Sequence, residues 1–123
     1  MKILIVDDEP HVRLLLEQTL EDLEDEGVEI LTASDGQQGL DTIRREQPNL
    51  VFLDVMMPHI NGFEVCKIVK QDLKMDGVTI VLLTAKGQEY DRQRGEDSGA
   101  DKYMTKPFDP DALLALAEET LGL

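Results

Sequence analysis

Short apolar runs alternate with segments of helical periodicity along all 123 residues of the chain. A short apolar run predicts a buried strand, and apolar residues three or four positions apart predict an amphipathic helix. The predicted strands lie at residues 3–6, 28–31, 50–53, 78–83 and 103–105. A helical pattern follows each of them, so we expect one α/β domain with a parallel sheet and helices on both faces.

Signals for helix starts support this alternation. Pro10 suits the first turn of the first helix. Ser34 and Gln37 match a capping box that would open the second helix. Asp109 and Pro110 would cap and start the last one.

The two middle helices are less clearly marked. We predict the third over about residues 63–74 and the fourth from about Gln88. Tyr90 is the only large apolar residue between Gln88 and Ser98, and Gly95 lies within this stretch. A helix with so little to bury is expected to be held weakly.

The formal net charge of −14 limits the partners of the domain. Phosphate backbones and anionic membrane surfaces would be repelled, so we expect neither nucleic acid nor membrane binding. The single cysteine, Cys66, excludes an internal disulfide, and no apolar run is long enough for a signal peptide or a membrane span. A cytoplasmic location is expected.

Polar side chains stand at the ends of four predicted strands. Asp7 and Asp8 follow the first strand, Asp54 the third and Thr84 the fourth, and the fifth runs into Lys106. Parallel strands bring their carboxyl ends to one edge of the sheet, where ligand sites form. A strand order of 2-1-3-4-5 would place strands one and three side by side and bring their carboxylates together.

This group of residues suits phosphoryl chemistry. Three clustered carboxylates repel one another unless a cation lies among them, and a set of oxygen ligands suits Mg²⁺. Asp54 would then be a nucleophile that forms an aspartyl phosphate, with Thr84 donating to a phosphoryl oxygen and Lys106 adding positive charge. Singly, each residue fits an ordinary capping, strand-end or surface role, and their joint placement favours a site.

Five ordered motifs then carry a resemblance to a known family. The chain resembles the receiver domain of response regulators of two-component signal transduction over essentially its whole length, residues 1–123. The resemblance implies a flavodoxin-like five-stranded sheet of order 2-1-3-4-5. The motifs are VDDEP at 6–10, LDVMMPHINGFE at 53–64, TA at 84–85, GAD at 99–101 and KPF at 106–108.

The resemblance also implies roles for the residues of the site. Asp54 would be the phosphoacceptor. Mg²⁺, for which Mn²⁺ can substitute, would bind Asp8, Asp54 and the backbone carbonyl of Met56, with Asp7 contributing directly or through water. Lys106 would pair with the phosphoryl group and precede a cis peptide bond.

A switch and its partners are implied in the same way. Thr84 and Tyr103 match the switch pair of the family, which alters the face built by helix 4, strand 5 and helix 5. The phosphoryl group would come from a sensor histidine kinase or a histidine phosphotransfer protein. The output partner is unknown, and a phosphorylation-dependent homodimer is one form that the output can take.

Three alternatives use similar features. A phosphatase of the haloacid dehalogenase type needs an acid two residues after the nucleophile, where this chain has Met56. A flavin-binding module needs a phosphate loop after strand one, where Asp7, Asp8 and Glu9 would repel phosphate. A phosphate-independent docking or dimerisation module of the same fold remains the alternative function.

The chain departs from the family at two places. Glu96, Asp97 and Ser98 make helix 4 unusually polar. The last predicted helix reaches the end of the sequence, so we expect no attached output domain within it. The sequence leaves open whether this is a stand-alone receiver or a piece of a longer protein.

Overall fold

Five parallel strands form the centre of the protein, for which a computed structural model describes residues 1–85 and 89–123. The strand order is β2-β1-β3-β4-β5, and all four neighbouring pairs are parallel. The predicted fold class and strand order are therefore confirmed. The strands are β1 (Lys2–Val6), β2 (Glu29–Ala33), β3 (Leu50–Asp54), β4 (Thr79–Ala85) and β5 (Lys102–Lys106).

Helices follow the strands as the periodicity predicted. A 3₁₀ turn at Glu21–Glu26 extends the first helix, and a π-helical turn at Ile68–Asp72 extends the third. The predicted start of the fourth helix near Gln88 lies outside the described residues. The helices are α1 (Pro10–Leu20), α2 (Gly36–Glu46), α3 (Gly62–Lys67), α4 (Glu89–Ser98) and α5 (Pro110–Leu121). Among the described residues, no helix is both long and apolar enough to cross a membrane.

The sheet separates two apolar cores. Alternate residues of the central strands point to opposite faces, which explains why these strands are apolar almost throughout. On one face, Leu4 and Val51 pack in the core that α2 and α3 complete. On the other face, Ile5 and Phe52 pack in the core that α1 and α5 complete.

The start of α2 differs from the prediction by one residue. Asp35, not Ser34, is the N-cap, and its carboxylate accepts a hydrogen bond from the backbone N–H of Gln38 at 2.8 Å. The side chain of Gln38 accepts from both the backbone N–H and the hydroxyl of Ser34. Gln38 therefore takes the place predicted for Gln37, because the chain is still extended at Asp35.

The prediction for α3 missed both of its ends. Asn61 and Glu64 form a reciprocal capping box, which starts the helix at Gly62 rather than at Phe63. The Asn-x-x-Glu spacing was present in the sequence. The π-helical turn, which no sequence pattern signalled, ends at Asp72 before the predicted residue 74.

Close backbone contacts shape the loop that follows β3. A Cβ atom on Gly36 would lie 2.3 Å from the carbonyl oxygen of Ile60, and one on Gly62 would lie 2.5 Å from that of Asp54. The start of α2 and the start of α3 therefore both press on this loop. Because neither glycine has a side chain, the loop that contains Met56 and Pro58 can pack directly against these two helix starts.

Gly36→Ala should lower the free energy of unfolding by about 1–3 kcal/mol, because the new methyl group must displace the backbone at Ile60. Gly77→Ala is the matched control, since its Cβ would meet no atom within 4 Å. The control should change stability by no more than about 0.5 kcal/mol. Urea unfolding of both variants measures the difference, and equal stabilities would contradict the tight contact.

Candidate functional site

The ammonium group of Lys106 joins two buried carboxylates at the carboxyl edge of the sheet. Its Nζ lies 2.9 Å from Oδ2 of Asp7 and 3.1 Å from Oδ1 of Asp54. Asp7 follows β1, Asp54 ends β3 and Lys106 ends β5, so one cation connects three strand ends. The predicted convergence of these residues is present in the structure.

Asp7 is fully buried, and the polar groups around it compensate this burial. Its Oδ1 accepts a hydrogen bond from the backbone N–H of Glu9 at 2.9 Å, while Oδ2 accepts from Lys106. Arg13 of α1 donates to the backbone carbonyl of Asp7 at 2.6 Å. Both carboxylate oxygens are therefore hydrogen-bonded, as a buried charge requires.

Asp54 is only 4% exposed, so its negative charge is costly to bury. Burial raises the pKa of its carboxyl group to about 6, and the negative charge of Asp7 contributes in the same direction. Lys106 opposes this rise through its charge and its hydrogen bond, and so does the backbone N–H of Met56 at 3.3 Å. The carboxylate is thus available at neutral pH but would be stabilised by further positive charge.

The two carboxylates also shift the pKa of Lys106. Its burial lowers the pKa of the ammonium group, but the hydrogen bond to Asp7 and the charges of Asp54 and Asp7 outweigh this effect and raise the pKa overall. The amine therefore remains a cation. The peptide bond between Lys106 and Pro107 is cis, as the resemblance implied.

Asp8 completes a cluster of three carboxylates. Asp7, Asp8 and Asp54 each offer one oxygen, and these oxygens all lie within 4.8 Å of one another. Asp8 is exposed, whereas the other two are buried, so the cluster opens to solvent on its side. A hard divalent cation such as Mg²⁺ fits this set of oxygen ligands, and its charge would favour the ionised form of Asp54, whose pKa is raised by burial and by the charge of Asp7.

Thr84 and Tyr103 lie on the two neighbouring strands. Thr84 is 5% exposed and pairs with Thr105 of β5 in the sheet register, one residue beyond the partner of Asp54. Tyr103 is half-buried against the core that includes α3. A Cβ atom on Gly95 of α4 would lie 2.5 Å from its ring, so Tyr103 packs directly on the backbone of α4.

The structure brings the three predicted carboxylates together, leaves their role as metal ligands a prediction, and adds two groups to the site. The Met56 side chain is 62% exposed, and its carbonyl remains only a predicted ligand. The backbone N–H of Glu9 and the guanidinium group of Arg13 both hold Asp7, which the sequence analysis did not foresee. Arg13 lies in the first turns of α1, close in sequence to Asp7 and Asp8, and this position could have indicated its contact with Asp7.

Asp54→Asn should raise the free energy of unfolding of the metal-free protein at pH 7.5 by up to about 3 kcal/mol. The folded-state pKa of about 6 exceeds the ordinary value of 3.8, so the folded state holds the proton more tightly. The ionised Asp54 therefore does not destabilise the folded state below about pH 4. The destabilisation grows between pH 4 and 6 and is complete above pH 6. Urea unfolding in a chelator at pH 4 and 7.5 measures it. Asp76→Asn, an exposed turn residue, is the control, and an advantage already complete at pH 4 would contradict the assignment.

Comparison with known proteins places this geometry in a family. Residues 3–118 match the family described as "Response regulator receiver domain". The phosphatase-synthesis regulator PhoP of Bacillus subtilis is 47% identical over 109 residues, which are 89% of this chain and 43% of that protein. The regulator RpaA of Synechocystis is 40% identical over 114 residues, 93% of this chain and 46% of that protein. The chain thus spans about half the length of the curated relatives it matches.

Solved structures agree with this result. A response regulator from Chloroflexus aurantiacus has a TM-score of 0.86 at 33% identity, covering 99% of this chain and 98% of its own. The chemotaxis protein CheY4 of Vibrio cholerae has a TM-score of 0.83 at 32% identity and covers 97% of both chains. Since the family match spans nearly all of the chain and the relatives share its fold, this protein belongs to the response regulator receiver domains.

Proposed function

We propose that this chain is a phosphorylation-activated signalling switch. Asp54 accepts a phosphoryl group from a sensor histidine kinase or a histidine phosphotransfer protein, and the change at the α4–β5–α5 face controls partner binding. The observation that carries the proposal is the buried Asp54 carboxylate held between Asp7 and Lys106. A buried charge of this kind is costly to the folded state, and such charges are concentrated at functional sites.

The transfer follows from the position of the Asp54 carboxylate. One of its oxygens forms a bond to phosphorus, while the P–N bond of the phosphohistidine breaks and its electron pair returns to the imidazole ring. The raised pKa of Asp54 makes the carboxylate more basic than an ordinary one, yet it is still ionised at neutral pH. Lys106 lies within reach of Asp54 and would pair with the new phosphoryl oxygens.

The cation site belongs to the same proposal. Asp7, Asp8, Asp54 and the carbonyl of Met56 would hold Mg²⁺, for which Mn²⁺ can substitute. When bound, the ion supplies positive charge that stabilises the phosphoryl oxygens. The domain catalyses only its own phosphorylation and dephosphorylation and is otherwise not an enzyme.

The response then passes to α4 and β5. Thr84, at the end of β4, would donate its hydroxyl group to a phosphoryl oxygen. Tyr103 would follow because it lies on the adjacent strand and packs on Gly95. A rearrangement of α4 changes the α4–β5–α5 face, and partners shift the population by their differential affinity for the new shape.

An apolar groove beside the site suits the phosphodonor. A cavity of about 300 Å³ lies next to Lys106. It is lined by Val12 and Leu15 of α1 and by Pro107 and Phe108, which follow β5. Leu15 is 47% exposed and therefore offers apolar surface to a partner. A donor helix seated there would bring its histidine close to Asp54.

The remaining parts of the proposal concern the setting of the domain. Residues 1–123 form one receiver domain, located in the cytoplasm, that binds neither nucleic acid nor membrane itself. Its relatives named as transcriptional regulators are about twice as long, so the output is delivered outside this domain, to an unknown partner or through a phosphorylation-dependent homodimer. The alternative is a phosphate-independent docking module, which would leave the buried Asp54 charge without a use.

Incubation with acetyl phosphate and Mg²⁺ should add one phosphoryl group to the protein, seen as a single mass increase that base removes. Asp54→Ala should abolish this increase because the attacking carboxylate is gone. Asp76→Ala, which removes an exposed acid in a turn, should behave as the wild type. Normal labelling of Asp54→Ala would refute the role of Asp54, and no labelling of the wild type would favour the docking module.

Asp8→Asn should weaken Mg²⁺ binding by about tenfold or more, because the site loses one negative charge from an oxygen-only set. Calorimetric titration of the unphosphorylated protein measures this affinity without any transfer reaction. Asp22→Asn removes an equal charge from the 3₁₀ turn after α1 and serves as the control. Equal affinities for the two variants would count against the predicted ligand set.

A further inference from the structure

We propose that Arg94 of α4 is a positioning residue that couples this helix to the loop carrying Asp54, through its contact with Phe63. The inference deepens the proposed function, on which its phosphorylated arm rests. It adds a route along α3 to the one through Thr84 and Tyr103. Three sets of contacts support it.

The first contact is the stack of Arg94 on Phe63. The guanidinium carbon of Arg94 lies 4.5 Å from the centre of the Phe63 ring. Arg94 itself is exposed, whereas Phe63 is only 6% exposed. A cation at this distance from an aromatic ring is attracted by its face, and the side chain also shields the ring from water.

The second set fixes Phe63 to the phosphoacceptor loop. Gly62, its neighbour, donates its backbone N–H to the carbonyl of Val55 at 3.0 Å. A Cβ atom on Gly62 would lie 2.5 Å from the carbonyl oxygen of Asp54 and 2.9 Å from the Cα of Val55. Because no space remains between these backbones, a shift of the loop at Asp54 must move the start of α3 and the ring of Phe63.

The third set comprises the other contacts between these helices, among them a hydrogen bond between the buried side chains of Cys66 and Ser98. The side chain of Gln71 donates to the carbonyl of Asp97 at 2.8 Å, at the far end of the two helices. Between the two ends lies a cavity of about 370 Å³ that Phe63, Lys67 and Arg94 help to line. The stack of Arg94 on Phe63 is therefore the contact at the start of α3, next to the loop that carries Asp54.

The contact between Arg94 and Phe63 is expected to change the position of α4 by a small, measurable amount. An exposed contact between a cation and an aromatic ring changes an equilibrium by about two- to fivefold. The α4 segment from Gln93 to Ser98 has polar side chains, and its apolar packing is at Gly95, which lies against Tyr103 and Leu82. The contact of Arg94 with Phe63 therefore sets part of the equilibrium between a docked and an open α4.

Amide hydrogen exchange in residues 93–98 tests the inference with a double-mutant cycle. Arg94→Gln removes the charge but keeps a long polar side chain, and Phe63→Leu removes the ring but keeps an apolar one. Each should speed exchange about two- to fivefold, and the double variant should be no faster than either single one. Glu96→Gln, which changes a charge on the exposed surface of the same helix, is the control.

The second arm repeats the measurement on protein phosphorylated by acetyl phosphate and Mg²⁺. Wild-type α4 should change its exchange on phosphorylation, and both variants should lose about half or more of this change while taking up the phosphoryl group normally. A purely structural role of Arg94 would leave the phosphorylation-dependent change intact.

The outcomes separate the two proposals. Additive effects in the unphosphorylated cycle, or an unchanged response of the labelled variants, would overturn the coupling while leaving the proposed function in place. If the wild type takes up no phosphoryl group, the proposed function fails, and the unphosphorylated cycle alone decides whether Arg94 holds α4 through Phe63.

Discussion

The bridge from Lys106 to Asp7 and Asp54 is the interaction on which the rest of the site depends. The two buried carboxylates repel each other, and burial together with the charge of Asp7 raises the pKa of Asp54, while the charge of Lys106 lowers it. The bridge joins residues 99 and 52 positions apart in the chain, so it can exist only after β1, β3 and β5 have taken their places. The sheet thus assembles a site whose remaining negative charge favours a divalent cation.

Close backbone contacts join this site to the neighbouring helices. Gly62 brings the start of α3 against the carbonyl of Asp54, and Gly95 brings α4 against the ring of Tyr103. In the sequence, Gly95 looked only like a weak point, since glycine costs a helix about 1 kcal/mol relative to alanine. In the structure it is buried and makes room for an aromatic ring of β5. Gly95 lowers the intrinsic stability of α4 but allows this helix to contact β5, the strand that ends at Lys106.

Much of the fold was predictable because its signals are local. Apolar runs predicted the five strands and helical periodicity predicted α1, α2 and α5, and Pro10 and Pro110 marked helix starts that the structure confirms. Errors arose where two neighbouring residues could play the same part, as with Ser34 and Asp35 at the start of α2. No local pattern predicted the π-helical turn, which contains Lys70, a residue that pairs with Asp101 beyond β4 in the chain.

By itself, the sequence determined the order of elements, the parallel sheet and the set of residues at its carboxyl edge, since strand ends follow from hydrophobic pattern alone. Tertiary structure decided which of these residues touch. Asp7 is buried and bound to Lys106, whereas its neighbour Asp8 is exposed, although the sequence offers the two as equivalent carboxylates. The contact of Arg94 with Phe63 was likewise invisible, because a polar residue on an exposed helix face has no pattern that names its partner. Such pairings depend on distances between elements, which only the packed sheet and helices define.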